Sequence, residues 1–83
     1  MPLFMDIHQA VPGADAKGVA EAHLKDLGVQ GKYGVKYLRY WLDEGTGKIF
    51  CLVDAPDKEA AMRVHREAHG LVADEINEVI EGS

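Results

Sequence analysis

A glycine-containing turn between two apolar segments constrains the fold of this chain more than any other feature. Residues 35–42 are rich in β-branched and aromatic side chains, which is typical of a strand. Residues 43–47 follow with two glycines, as in a hairpin turn. Residues 48–54 are apolar at successive positions, so both faces of this segment are predicted to be buried, as in a central strand. The middle of the chain is therefore predicted to form an antiparallel hairpin.

A strand and a helix precede this hairpin. Residues 3–8 are predicted to form the first strand, and Asp15 is a suitable N-cap for a helix over residues 16–27. The helix is expected to end at Gly28 and to be followed by a loop over residues 29–34. Its predicted buried stripe consists of Ala16, Val19, Ala20, Leu24 and Leu27.

A second helix and a last strand follow the hairpin. Asp57 is the predicted N-cap, and the helix is expected to run to about His69, with Gly70 as the residue that ends it. Residues 75–80 are predicted to contain the last strand. The buried stripe of this helix is predicted to consist of Ala60, Ala61, Val64, Ala68 and Leu71.

The resulting order, βαββαβ, is that of the ferredoxin-like α+β fold, with a four-stranded antiparallel sheet and two helices on one face. We expect one domain over residues 1–83, since a chain of this length holds one small core. The second face of the sheet would be uncovered, and strand alternation allows Phe4, Tyr37 and Trp41 to lie there. A second copy of the sheet, related by a two-fold axis, would cover it, so we predict a homodimer.

Charge and cysteine content exclude several classes of function. The formal net charge of −5 disfavours nucleic acid, because that binding depends on Lys and Arg at phosphates. No stretch approaches the roughly 18 apolar residues of a membrane span, and the start of the chain lacks the basic region of a secretory signal. A single cysteine forms no intramolecular disulfide, so the chain needs no oxidising compartment and is expected in the cytoplasm.

Two histidines four residues apart are the feature that indicates chemistry rather than packing. His65 and His69 would lie one above the other on the second helix, with His65 at the border of the buried stripe. Imidazole nitrogen is a preferred ligand of late first-row metal ions, so the pair is a candidate metal site. The alternative is a solvated helix flank, with His69 in the last turn, where a positive charge is favourable.

Other side chains would complete such a site if the fold gathers them. Cys51 lies in the predicted central strand and His8 ends the first strand, and these two strands are neighbours in the ferredoxin-like order. The alternatives are a small buried hydrophobe for Cys51 and an exposed strand end for His8. Asp6 and Asp54 are either oxygen ligands or solvated acids. The candidate metal ligands are therefore His8, Cys51, His65 and His69.

His23 supports a rival interpretation. It falls within the predicted stripe of the first helix, either as a core histidine or as a ligand or acid/base group near Cys51. At the wall of an enclosed apolar pocket, it would indicate a small-molecule site or a small enzyme, with His65 as its neighbour. The chain has no nucleophilic triad or phosphate-binding glycine motif, so a hydrolase or nucleotide enzyme is not expected. A dimer without chemistry of its own, acting as an accessory module, is the third alternative.

Three segments together resemble a known family. Residues 37–41 (Tyr-Leu-Arg-Tyr-Trp), 50–56 (Phe-Cys-Leu-Val-Asp-Ala-Pro) and 65–70 (His-Arg-Glu-Ala-His-Gly) are similar to the small bacterial nickel-binding proteins with a ferredoxin-like fold. The resemblance extends over nearly the whole chain, including residues 20–24. It implies a homodimer that binds nickel ions, and sequestration or delivery of metal is expected rather than catalysis. Zinc or copper would suit the same ligands.

Overall fold

Four antiparallel strands and two α-helices form the part of the chain that the computed structural model describes, which is residues 2–82. In chain order the elements are β1 (Leu3–His8), α1 (Ala16–Val29), a 3-10 helix (Gln30–Tyr33), β2 (Lys36–Asp43), β3 (Lys48–Asp54), α2 (Lys58–Ala68) and β4 (Glu75–Val79). The sheet has the strand order β2-β3-β1-β4, and buried residues of both helices pack on one face. The predicted ferredoxin-like fold is confirmed.

The apolar segment over residues 48–54, which was expected to form a central strand, does so as β3. β3 pairs antiparallel with β1 on one side and with β2 on the other. Its Cys51 and Val53 are buried toward the helices, whereas Phe50 and Leu52 alternate onto the opposite face. An edge position would leave this apolar strand with an unpaired backbone, which favours aggregation, so the central position follows from its composition.

The two helices begin at the predicted N-caps. Asp15 Oδ1 accepts a hydrogen bond from the backbone N–H three residues later at 2.7 Å, and Asp57 Oδ1 does the same at 2.8 Å. α2 ends at its C-cap His69, and Gly70 follows in the left-handed conformation with φ +81°. Within residues 2–82, no helix is long and apolar enough to cross a membrane.

The first helix continues past its predicted end at Gly28. α1 passes directly into the 3-10 helix, so much of the expected loop over residues 29–34 is helical instead. Gly34, with φ +67°, is the residue that ends this extension. The side-chain oxygen of Gln30 accepts the backbone N–H of Tyr37 at 2.8 Å, which ties the extension to the start of β2.

A β-bulge in β2 decides which aromatic side chains lie on the uncovered face of the sheet. The register shifts between Tyr37 and Arg39, so Tyr37 and Trp41 do not share a face. Tyr37 is buried toward the helices, and Phe4 is too, because it lies opposite the fully buried Val53. The prediction that Phe4 and Tyr37 lie on the uncovered face is therefore wrong. Trp41 is on that face and is 47% exposed.

α1 presents a different side to the sheet from the predicted stripe. Its buried residues are Val19 and Asp26, whereas Leu24 and Leu27 are 66% and 40% exposed. Residues seven apart lie on the same side of a helix, so α1 is rotated toward the row of Val19 and Asp26. Leu71 was also predicted to be buried and is exposed, because α2 ends before it.

We expect Gly47→Ala to destabilise the protein more than Gly13→Ala. Both glycines have positive φ, +79° and +71°, so an alanine costs roughly 1 kcal/mol at either position. A Cβ at residue 47 would also lie 3.0 Å from the Val11 carbonyl oxygen, whereas one at residue 13 would meet nothing within 4 Å. Urea unfolding of both variants measures the difference. Equal losses would show that the backbone at Val11 moves without cost.

Candidate metal centre

Strand alternation brings three side chains with metal-binding groups to the face that the helices cover. Asp6 and His8 lie two residues apart on β1, so they share this face. Cys51 is the register partner of Asp6 on β3 and points the same way. All three side chains are buried. The sheet thus supplies an oxygen, a nitrogen and a sulfur at one place.

His65 lies between two buried carboxylates. α2 projects this side chain into the core, where it is 2% exposed. Its Nδ1 is 2.8 Å from Asp26 Oδ1, and its Nε2 is 3.1 Å from Asp6 Oδ2. Both ring nitrogens face acceptors, so the ring is an imidazolium that donates to two acids. The Tyr37 ring stacks on it at a centroid distance of 4.5 Å, and the Tyr37 hydroxyl donates to Asp6 Oδ2 at 2.9 Å.

Burial and hydrogen bonding act in opposite directions on these groups. Burial lowers the pKa of His65, but hydrogen bonds to Asp26 and Asp6 and their negative charges outweigh it and raise the pKa to about 9. Burial raises the pKa of Asp26, but hydrogen bonds from His65 and His69 outweigh it and hold that pKa below its ordinary value. At neutral pH, His65 is therefore positively charged and Asp26 negatively charged.

One carboxylate oxygen in this cluster has no partner. Asp6 Oδ1 is buried and accepts no hydrogen bond from any of residues 2–82, since His8 Nε2 lies 3.6 Å away, beyond hydrogen-bond distance. Such an atom is costly in a folded protein and calls for an explanation, such as a bound ion. Asp6, His8, Cys51 and, once its ring loses a proton, His65 each offer one ligand atom, and these atoms all lie within 4.8 Å of one another.

Burial keeps the other two donors of this group uncharged. It lowers the pKa of His8, so this ring is a neutral imidazole at neutral pH. Burial, together with the negative charge of Asp6, raises the pKa of Cys51 well above its ordinary range, so the side chain is a thiol. A metal ion would reverse the state of the sulfur, because a coordinating thiol is deprotonated.

A second group of ligand atoms shares His65 with the first. Asp26, His65 and His69 also offer atoms that lie within 4.8 Å of one another. His69 Nε2 is 3.0 Å from Asp26 Oδ1, while its Nδ1 accepts the backbone N–H of Leu71 at 3.1 Å. The two histidines of α2 therefore differ: His65 belongs to both groups, and His69 to one.

The structure brings the four predicted ligands together in one region of the fold. They are His8, Cys51, His65 and His69. His65 and His69 are not a solvated helix flank, and His8 is not exposed. Asp6 joins them, whereas Asp54 alternates onto the opposite face of the sheet. His23 lies outside both groups, with its ring against that of Tyr40 at 4.8 Å.

Sequence reasoning missed Asp26. The signal for it is an acid seven residues after the buried Val19 and three after His23, on one side of α1. An acid on the packed side of a helix is buried only when it is paired, so it calls for a basic partner from another element. That partner is the imidazole pair of α2.

The donor set fits a late first-row divalent metal ion. Imidazole nitrogen, carboxylate oxygen and cysteine sulfur are all ligands for such ions. The unpaired Asp6 oxygen also supplies a free lone pair within the first group. Hydrogen bonds within the protein fix His65 and both acids in these positions.

The fold and this cluster define a ferredoxin-like α+β protein with buried side chains that can hold a metal ion. The chain belongs to the family described as "Nickel responsive protein SCO4226-like", whose profile matches residues 4–79. Among solved structures it is similar to the crystal structure of SCO4226 from Streptomyces coelicolor A3(2), with 38% identity and a TM-score of 0.90. That alignment covers 98% of this chain and 99% of that chain. Comparison with curated proteins gives no match.

The free energy of unfolding of the chelator-treated protein should fall as the pH rises from about 7 to about 8. The pKa of His65 is about 9 in the fold, above that of an ordinary histidine. Its contribution is therefore complete below the unfolded pKa of roughly 6.5 and is lost as the pH passes 9, by about 1 kcal/mol per pH unit. Cysteine in the unfolded chain has a pKa of roughly 8.5, so most of it is still protonated within this window. Urea unfolding across the window measures the slope.

Two variants test whether His65 is the source of this slope. His65→Gln keeps an amide donor but does not titrate, so its slope should be flat. Should that variant fail to fold, Asp26→Asn removes one of the two charges that raise the pKa of His65 and should move the fall to lower pH. A folded variant with the wild-type slope would contradict the assignment.

Proposed function

We propose that this protein binds nickel(II) as a homodimer and acts in sequestration or delivery of the metal rather than in catalysis. The observation that carries the proposal is the unpaired Asp6 Oδ1, buried within a group that also contains His8, Cys51 and His65. A divalent cation beside this oxygen would compensate a desolvated negative atom that the protein leaves without a partner. The family description supports nickel as that cation.

The proposed ligands are divided between the two groups that share His65. Asp6, His8 and Cys51 belong to one group and His69, with Asp26, to the other. Each nitrogen of His65 faces one of the groups, because Nε2 is directed at Asp6 and Nδ1 at Asp26. Substitution of a histidine from each group therefore reports on that group separately.

The ligands alone do not choose nickel over its neighbours in the periodic table. Zinc and copper accept the same nitrogen, oxygen and sulfur donors, and copper(II) binds most sites of this kind at least as tightly. Selection of nickel in the cell therefore rests on the metal that is available as well as on the site. The buried, free Cys51 suits a reducing compartment, so we place the function in the cytoplasm.

The uncovered face of the sheet supports the proposed dimer. Leu3, Met5 and Ile7 alternate onto this face from β1, and Phe50 and Leu52 from β3. A groove on this face is lined mainly by apolar side chains that include Trp41, Val79 and Ile80, together with Arg39 and Glu81. A mainly apolar surface with charged residues beside it is typical of an interface, and a second copy of the sheet has a matching one.

Isothermal titration of the chelator-treated protein with Ni²⁺ tests the metal site. We expect His8→Ala and His69→Ala each to weaken binding by at least about ten-fold, since each removes an imidazole donor or a group that orients one. His23→Ala is the matched control, because His23 lies outside both groups and should leave the affinity unchanged. Circular dichroism confirms that each variant is folded.

Two results would contradict the nickel proposal. The first is no heat with Ni²⁺ for a folded wild-type protein. The second is the same isotherm for wild-type, His8→Ala and His69→Ala proteins. A loss in only one of these two variants would locate the ion in the corresponding group and would retain the proposal.

Sedimentation of the wild-type protein should give twice the mass of one chain. Phe50→Glu places a charge at the centre of the uncovered sheet face and should give a monomer, because a buried unpaired carboxylate is strongly unfavourable. Leu24→Glu is the control, since Leu24 is exposed on α1 and away from this face. A dimer that persists in a folded Phe50→Glu protein would show that another surface is used.

A further inference from the structure

A cavity of about 210 Å³ adjoins the metal centre. It lies between α1, the loop over residues 11–15 and the helix-covered side of β2 and β3, and it opens to solvent. Its walls are mainly apolar and include Val19, Ala22 and Ile49. An engineered apolar cavity of roughly 150 Å³ binds benzene. The cavity therefore has room for a six-membered ring with a small substituent.

Two imidazoles at this cavity make no hydrogen bond within the described residues. His8 and His23 both line it, and neither makes a side-chain hydrogen bond to any of residues 2–82. The His23 ring is held in place only by its contact with Tyr40. His65 and His69, which also reach the cavity, have their ring nitrogens engaged by carboxylates or backbone. The cavity thus combines apolar walls with two imidazoles that can bond a ligand, as ligand sites do.

The charges around the cavity select the kind of polar group that a ligand can carry. A carboxylate would be desolvated near Asp26, a buried acid that lines the cavity. An ammonium would compete with His65 and His69 for Asp26 Oδ1, which both rings already contact. A hydroxyl group both donates and accepts, so it can pair with an imidazole nitrogen in either role. A neutral hydroxyl therefore fits best.

We propose that this cavity binds a small neutral aromatic alcohol, with its ring between α1 and β3 and its hydroxyl hydrogen-bonded to His23. The cavity shares several lining residues with the metal centre, namely His8, Asp26, Cys51, His65 and His69. The site still goes beyond the proposed nickel binding, because His23 and the apolar walls belong to neither group of metal ligand atoms. The ligand would be held by apolar burial and oriented by one hydrogen bond.

Fluorine NMR of 4-fluorophenol with the chelator-treated protein tests the site, with an expected Kd of about 1 mM or lower. Ala22→Phe fills the cavity from the wall of α1 and should abolish binding. Ala16→Phe is the matched control, since Ala16 is exposed on the same helix and does not line the cavity. Should Ala22→Phe disturb the fold, Ala22→Leu fills part of the same space and should weaken binding.

The hydroxyl is tested separately from the ring. His23→Phe keeps an aromatic ring against Tyr40 but removes both nitrogens, so the Kd of 4-fluorophenol should rise about five-fold. The Kd of fluorobenzene should not change in this variant, and 4-fluorobenzoate should bind the wild-type protein more weakly than 4-fluorophenol. The proposal is overturned by no binding of 4-fluorophenol, by equal binding to folded Ala22→Phe, or by equal or tighter binding of 4-fluorobenzoate.

Discussion

One imidazolium joins the sheet to both helices. His65 on α2 bonds to Asp6 on β1 and to Asp26 on α1, so the relative positions of these three elements depend on a single ring. The burial of charged groups is unfavourable unless each is paired, and removal of one partner from a buried pair costs roughly 3–5 kcal/mol. A different rotation of either helix would leave a carboxylate unpaired in the core. The network therefore specifies one packing of helices on the sheet.

This electrostatic requirement overrides the apolar pattern of α1. Asp26 lies in the last turn of that helix, where the helix dipole disfavours a carboxylate, and the imidazolium of His65 compensates for it. Turning Asp26 inward leaves Leu24 largely and Leu27 partly in water, although full burial of a leucine is worth about 1.5–3 kcal/mol. The pairing of Asp26 thus decides how α1 is rotated, and the exposure of the two leucines is a consequence.

Local signals predicted most of the fold, and long-range pairings account for what they missed. The caps at Asp15 and Asp57 and the apolar central strand depend only on neighbours in sequence, and all were predicted correctly. The proximity of His8 and Cys51 was predictable from residue type and from the adjacency of β1 and β3, whereas metal binding by the four candidate ligands stays a prediction. The β-bulge after Tyr37 cannot be seen in the alternation of apolar and polar residues, so Tyr37 was assigned to the wrong face of the sheet. Asp26 depends on a partner 39 residues away, which no local pattern contains.

The same network holds the side chains of the candidate site together by hydrogen bonds of the protein itself. Structural zinc domains lack other support for their ligands and are unfolded without the ion. Here the proton on His65 supplies the positive charge that Asp6 and Asp26 require, so the chain's own hydrogen bonds fix these side chains. Only Asp6 Oδ1 is left without a partner within residues 2–82 of this cluster. A site that is preorganised and yet incomplete can gain from an ion without depending on it for folding. Those are the properties that uptake and release of a metal require, and a purely structural metal site lacks them.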